Sequence, residues 1–91
     1  MKHGNDSIER DVNTFLEENF ILDGDANALD PEESLTELGV LDSMGVLEVI
    51  MFIEQTYGIE IPDEDTLPEN LDSVSRIVSY IRGRLAEAAL T

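Results

Sequence analysis

Apolar residues recur at every third or fourth position in three separate stretches of this chain, and strand-like alternation never runs beyond a few residues. That pattern restricts the fold to helices packed on one another, an all-α small four-helix bundle once a short extra helix is counted. Across residues 8–22 the stripe is Ile8, Val12, Phe15, Leu16 and Ile21 or Leu22, with Glu9, Arg10, Asp11, Glu17 and Glu18 facing water. Across 44–57 it is Met44, Leu47, Ile50 or Met51, and Phe52 to Ile53. Across the last stretch it is Val74, Ile77, Val78 and Ile81, with Leu85 following and Tyr80 at the edge. Phe15, Leu47, Ile50 and Ile77 are therefore expected to be buried together.

The punctuation agrees with this division. Asp6 or Ser7 suits a cap for the first helix, Asp42 or Ser43 for the second, and Asp72 or Ser73 for the last. Gly58 follows the second stripe as a left-handed helix stop. Residues 23–40 form a long first loop, marked by Gly24, Asp25, Asn27, Asp30 and Pro31. Leu29, Leu35, Leu38 and Leu41 are expected to pin it across the helix ends, and Pro31 suits the first position of a short helical turn. Ile59 and Ile61 alternate with Glu60 in a piece that has no partner strand, so it reads as an extended link dropping both isoleucines into the core. A short third helix is expected at 65–69, interrupted by Pro68. With 91 residues the chain reads as one domain at 8–85, a flexible tail at 1–7 and a helix end or frayed tail at 86–91.

Composition removes several classes of function. There is no cysteine, hence no disulfide, thiolate metal site or cysteine nucleophile. The acids of the first loop lack the ligand spacing of a calcium loop, and no metal site is expected. The one histidine, His3, sits in the polar N-terminus and supports neither a ligand set nor a hydrolase triad around Ser43. The formal charge of −16, from 21 acids against 5 Lys and Arg, opposes nucleic-acid binding and favours partners with basic patches. No apolar segment is long enough to span a membrane, and no secretory signal is present, so a cytoplasmic location is expected. On composition alone the chain could be an acidic adaptor without a prosthetic group.

Ser43 changes that reading. It stands at the start of the second helix, where the helix dipole favours a phosphate group. The run Ser34-Leu35-Thr36-Glu37-Leu38-Gly39-Val40-Leu41-Asp42-Ser43-Met44 resembles the attachment segment of acyl and peptidyl carrier proteins. Further matches follow in order: Glu48 to Met51, Ile53, Glu54, Tyr57 to Ile59, Ile61, Pro62, and Asp72-Ser73-Val74. The resemblance covers roughly residues 8–82. Gly45 departs from it, since an acidic residue often stands there. The Asp-Ser-Met-Gly form is similar to D-alanyl and aminoacyl carriers, while the later segment is closer to ordinary acyl carriers.

The resemblance implies a carrier that performs no catalysis itself. Its cofactor would be 4'-phosphopantetheine on Ser43, flanked by Asp42 and Met44 and installed from coenzyme A by a phosphopantetheinyl transferase with magnesium. The arm would hold an acyl or aminoacyl thioester for fatty acid, polyketide or nonribosomal peptide chemistry. Partners would be an acyl- or aminoacyl-activating ligase and an acyl-accepting synthase or transferase, meeting a monomer at Glu48, Glu54 and the adaptable Met51.

Overall fold

A computed structural model describes residues 4–20 and 30–90. His3, Ile21, Leu22, Gly24, Asp25, Asn27 and Leu29 lie outside the described residues. Among the described residues four α-helices follow one another: α1 (Gly4–Asn19), α2 (Ser43–Tyr57), α3 (Pro68–Leu71) and α4 (Val74–Leu90), with a 3₁₀ turn at Asp63–Asp65 between α2 and α3. Among the described residues there is no strand, so the architecture is the expected small helical bundle of the acyl-carrier type. Helix α4 touches each of the other three and forms the centre of the packing.

The core is built where the stripes meet. Leu16, Leu35, Ile53, Ile77 and Ile81 are fully buried, joined by Val12, Val49, Leu71 and Val74. Phe15 stacks on Phe52 with ring centroids 4.4 Å apart and meets Phe20 edge-on, closing one side between α1 and α2. The Tyr57 hydroxyl donates to Asp11 at 2.7 Å, tying the end of α2 to α1. Burial, then this bond to a carboxylate, raises the Tyr57 pKa well above the ordinary phenol value.

Several boundaries differ from the pattern-based expectation. Helix α1 begins at Gly4, so residues 4–7 are helical and Asp6 and Ser7 lie within the helix instead of capping it. Ile8 is almost fully buried. An earlier start lets the unbonded N–H groups of the first turn fall before Ile8 rather than against the core. The expected helix at 65–69 is replaced by the 3₁₀ turn and by α3, in which Pro68 begins the helix rather than interrupting it. Proline lacks the N–H that a first position leaves unbonded anyway. Of the two candidate caps for α4, Ser73 serves: its Oγ accepts the Arg76 N–H at 3.1 Å while the side chain is buried.

The larger correction concerns α2. Its buried face is Gly45, Val49 and Ile53, while Met44, Leu47 and Met51 are 67%, 54% and 54% exposed. Leu47 is therefore not a core residue, and Phe15 and Ile50 are only partly buried. The face turned inward is the one carrying glycine. A Cβ on Gly45 would stand 3.1 Å from both a Leu41 methyl and the Phe20 ring, so even a methyl there would require these side chains to give way by a few tenths of an ångström. Leu38 is likewise 46% exposed, and the loop is pinned by Leu35 and Leu41 alone among the described leucines.

Candidate functional site

Asp42 creates the start of α2. Its backbone is extended, and its Oδ1 accepts the Gly45 N–H at 2.8 Å, while its carbonyl accepts the Val46 N–H at 2.9 Å. Ser43 is thereby fixed as the first helical residue, with its side chain exposed. Gly58 ends the helix at φ 69°, its N–H bonding the Glu54 carbonyl, as the left-handed stop requires.

Beside Ser43 opens a cleft of about 280 Å³. One wall is Val46 of α2, and the opposite wall is Thr66, Leu67, Pro68 and Leu71 from the turn and α3. Thr36 and Asp72 frame its polar mouth. Most of that lining is apolar, so the cleft suits a hydrocarbon chain entering from the serine.

The mouth is held by a clasp between the first loop and the α3–α4 junction. Asp72 Oδ1 accepts the Thr36 N–H at 2.9 Å, and Oδ2 accepts the hydroxyls of Ser34 and Thr36. The Leu35 N–H bonds the Asp72 carbonyl at 2.8 Å, and the Ser75 N–H bonds the Pro31 carbonyl at 2.9 Å. Partial burial alone would raise the Asp72 pKa. The donors from Ser34 and Thr36, aided by the Arg76 charge, outweigh it and hold the carboxyl below its ordinary value.

The other residues singled out in the sequence separate into two groups. Met44, Leu47, Glu48 and Met51 are exposed on α2 beyond Ser43. Glu54 is half-buried instead, and its Oε2 accepts the Ile61 N–H at 2.9 Å, anchoring the link that follows α2. The cleft residues Val46, Leu67 and Leu71 and the clasp were not identified from sequence. Spacing offers no signal for them, because they come from three segments brought together only by folding.

Residues 21–81, well over half the chain, match the family described as "Phosphopantetheine attachment site". An acyl carrier protein of Helicobacter hepaticus is 40% identical over 57 residues, covering 63% of this chain and 72% of that protein. One of Helicobacter pylori (strain G27) is 43% identical over 61 residues, covering 66% and 74%. One of Thermosynechococcus vestitus is 38% identical over 56 residues, covering 62% and 67%.

Proposed function

This chain belongs to the acyl carrier protein family, and on that premise we propose that Ser43 carries its 4'-phosphopantetheine and presents an acyl group to partner enzymes. The family's prosthetic group is covalently bound 4'-phosphopantetheine, which supplies a terminal thiol that holds cargo as a thioester. The residues around Ser43 fit such a group: an exposed hydroxyl at a helix start, and an apolar cleft opening beside it. The cleft is the observation that favours acyl cargo.

Each residue then has a task. In the transfer of the arm, the Ser43 Oγ would give up its proton to the transferase and form a phosphodiester with the arm, as the pyrophosphate bond of coenzyme A breaks and adenosine 3',5'-bisphosphate leaves. Asp42 caps the first turn of α2, the turn on which Ser43 stands. Asp42 and Met44, flanking the serine, form the surface a transferase must cover. Met44, Leu47 and Met51 share one exposed stripe with Glu48 beside it, a surface suited to apolar sockets rimmed by basic groups. Glu48 and Met51 are assigned to partner recognition. Glu54 can join them only in part, since one of its oxygens holds the Ile61 N–H. The carrier itself catalyses nothing in this reading: an activating ligase loads it, and a synthase or transferase unloads it, in the cytoplasm. An adaptor without a prosthetic group is set aside by the family's cofactor.

Intact mass after incubation with coenzyme A, magnesium and a broad-range phosphopantetheinyl transferase tests the assignment. The expected result is one phosphopantetheine adduct that vanishes in Ser43→Ala. An adduct that survives that substitution, or none on the wild-type chain, refutes Ser43 as the attachment point.

A further inference from the structure

The outer wall of the cleft is a flap, a segment that buries no residue of its own and is held by polar ties. Between the buried residues Ile61 and Leu71, none of residues 62–70 is buried. The segment is instead bonded to itself. The N–H groups of Asp65, Thr66 and Leu67 bond the carbonyls of Pro62, Asp63 and Asp65, and the Asn70 side chain donates to the Asp65 carbonyl at 2.9 Å. Internal bonds of this kind hold the piece together as a unit, so its position depends on what ties it to the body.

Helix α4 supplies those ties. The Tyr80 hydroxyl donates to Asp65 Oδ2 at 2.7 Å, and the Arg84 guanidinium stands 3.7 Å from the same oxygen. Arg84 also donates to the Glu60 carbonyl at 2.8 Å, just before the flap, where Glu54 already holds the Ile61 N–H. Arg76 adds a long 3.4 Å bond to the Pro68 carbonyl. Burial, then the bond to Asp65, pushes the Tyr80 pKa up to about 12, so the phenol remains a donor at every pH of interest.

We propose that Tyr80 and Arg84, acting through Asp65, are positioning residues that set how far the 62–70 flap opens and hence which chain lengths the cleft beside Ser43 accepts. The proposal rests on the acyl-carrier reading for its cargo, but not for its mechanics. Val46 lies on α2, whose buried face is locked into the core, so a longer chain gains room by displacing the flap. Each bond from α4 raises the cost of that displacement, and the apparent affinity of the cleft for long cargo falls with the population of the open state.

Two measurements decide it. The first is amide hydrogen exchange of the unmodified full chain, comparing wild type with Tyr80→Phe and Arg84→Gln. Loss of one charge-assisted bond should speed exchange across the flap roughly five- to tenfold while leaving α1 and the middle of α4 unchanged. Unchanged exchange in the flap overturns the proposal, as does equal acceleration everywhere, which marks a merely structural bond. Asp65→Asn, which keeps an acceptor for Tyr80 but removes the charge that faces Arg84, should also speed exchange in the flap, and unchanged exchange there overturns the role of Asp65.

The second measurement loads Ser43 with a butyryl or a dodecanoyl arm and compares thermal midpoints. The dodecanoyl form should gain more in Tyr80→Phe than in wild type, and the butyryl form should gain equally in both. Equal dodecanoyl gains overturn the link to chain length. If wild-type Ser43 accepts no arm, the carrier reading fails instead, and exchange in the unmodified chain still decides the tether.

Discussion

Asp72→Ala should destabilise the protein by about 2 kcal/mol at neutral pH, far more than an ordinary surface acid would. The substitution removes the acceptor of three bonds, from the Thr36 N–H and from the hydroxyls of Ser34 and Thr36. Bonds to an ionised acceptor are worth roughly 1.5–3 kcal/mol each, but these share one half-exposed carboxylate and do not add. The backbone bonds Leu35 to Asp72 and Ser75 to Pro31 survive, so the loop stays attached and the fold persists. For a chain of 91 residues the loss corresponds to a fall in melting temperature of roughly 8–16 °C. The sign of the pH dependence follows from the lowered pKa in the folded state. A depressed carboxyl contributes stability that is complete above its unfolded pKa, about 3.9, and that is lost as pH falls through the lower folded value. Urea unfolding followed by far-UV circular dichroism should therefore show a constant gap between wild type and Asp72→Ala at pH 7 and pH 5. The gap should narrow below about pH 4. A gap under about 0.5 kcal/mol at pH 7, or one that acid leaves unchanged, would refute the clasp.

Ile77→Ala should cost about 2–4 kcal/mol in urea unfolding, and Leu47→Ala less than about 0.5 kcal/mol. Equal costs would mean that α2 turns its other face inward. Gly45→Ala should destabilise by about 1 kcal/mol even though alanine is the better helix former, because the added methyl must displace Leu41 and Phe20. A gain in stability would show that the approach is not close. Glu48→Lys should slow modification of Ser43 by a transferase more than Glu48→Gln does, with the difference shrinking as salt is raised. Identical rates at low salt would leave Glu48 as no more than a solvated residue.

What could be read in the sequence was local chemistry. The start of α2 at Asp42 or Ser43 and its stop at Gly58 each depend on a residue acting on its own backbone, and the structure resolves the first as Asp42 capping a helix that begins at Ser43. The stripe of α4 was readable because the helix presents only one apolar face, and Val74, Ile77, Val78 and Ile81 are all buried. Helix α2 is different. Met44, Leu47 and Met51 share one side, and Gly45, Val49 and Ile53 lie nearly opposite at 3.6 residues per turn. Periodicity fits both stripes, and the longer side chains made the first look like the core. What decides between them is how closely a helix can approach its neighbours, a tertiary quantity that depends on Leu41 and Phe20 meeting a glycine. The anchoring role of Glu54 was unreadable for a related reason: an acid on this helix looks free until Ile61 folds back to give it an N–H.

The same conflict on α2 bears on function. A helix serving only the core would have no use for a second apolar stripe, and leaving Met44, Leu47 and Met51 in water brings a risk of association. The stripe lies on the helix that begins at Ser43, with Glu48 beside it. In the proposed function an enzyme that reaches the serine would meet these residues. Methionine keeps such a surface adaptable, which in the proposed function would suit a chain that meets a loading enzyme and an unloading enzyme in turn. In the proposed function the stripe that misled the reading of the core would be covered by partners only transiently, while Gly45, Val49 and Ile53 complete the core without it.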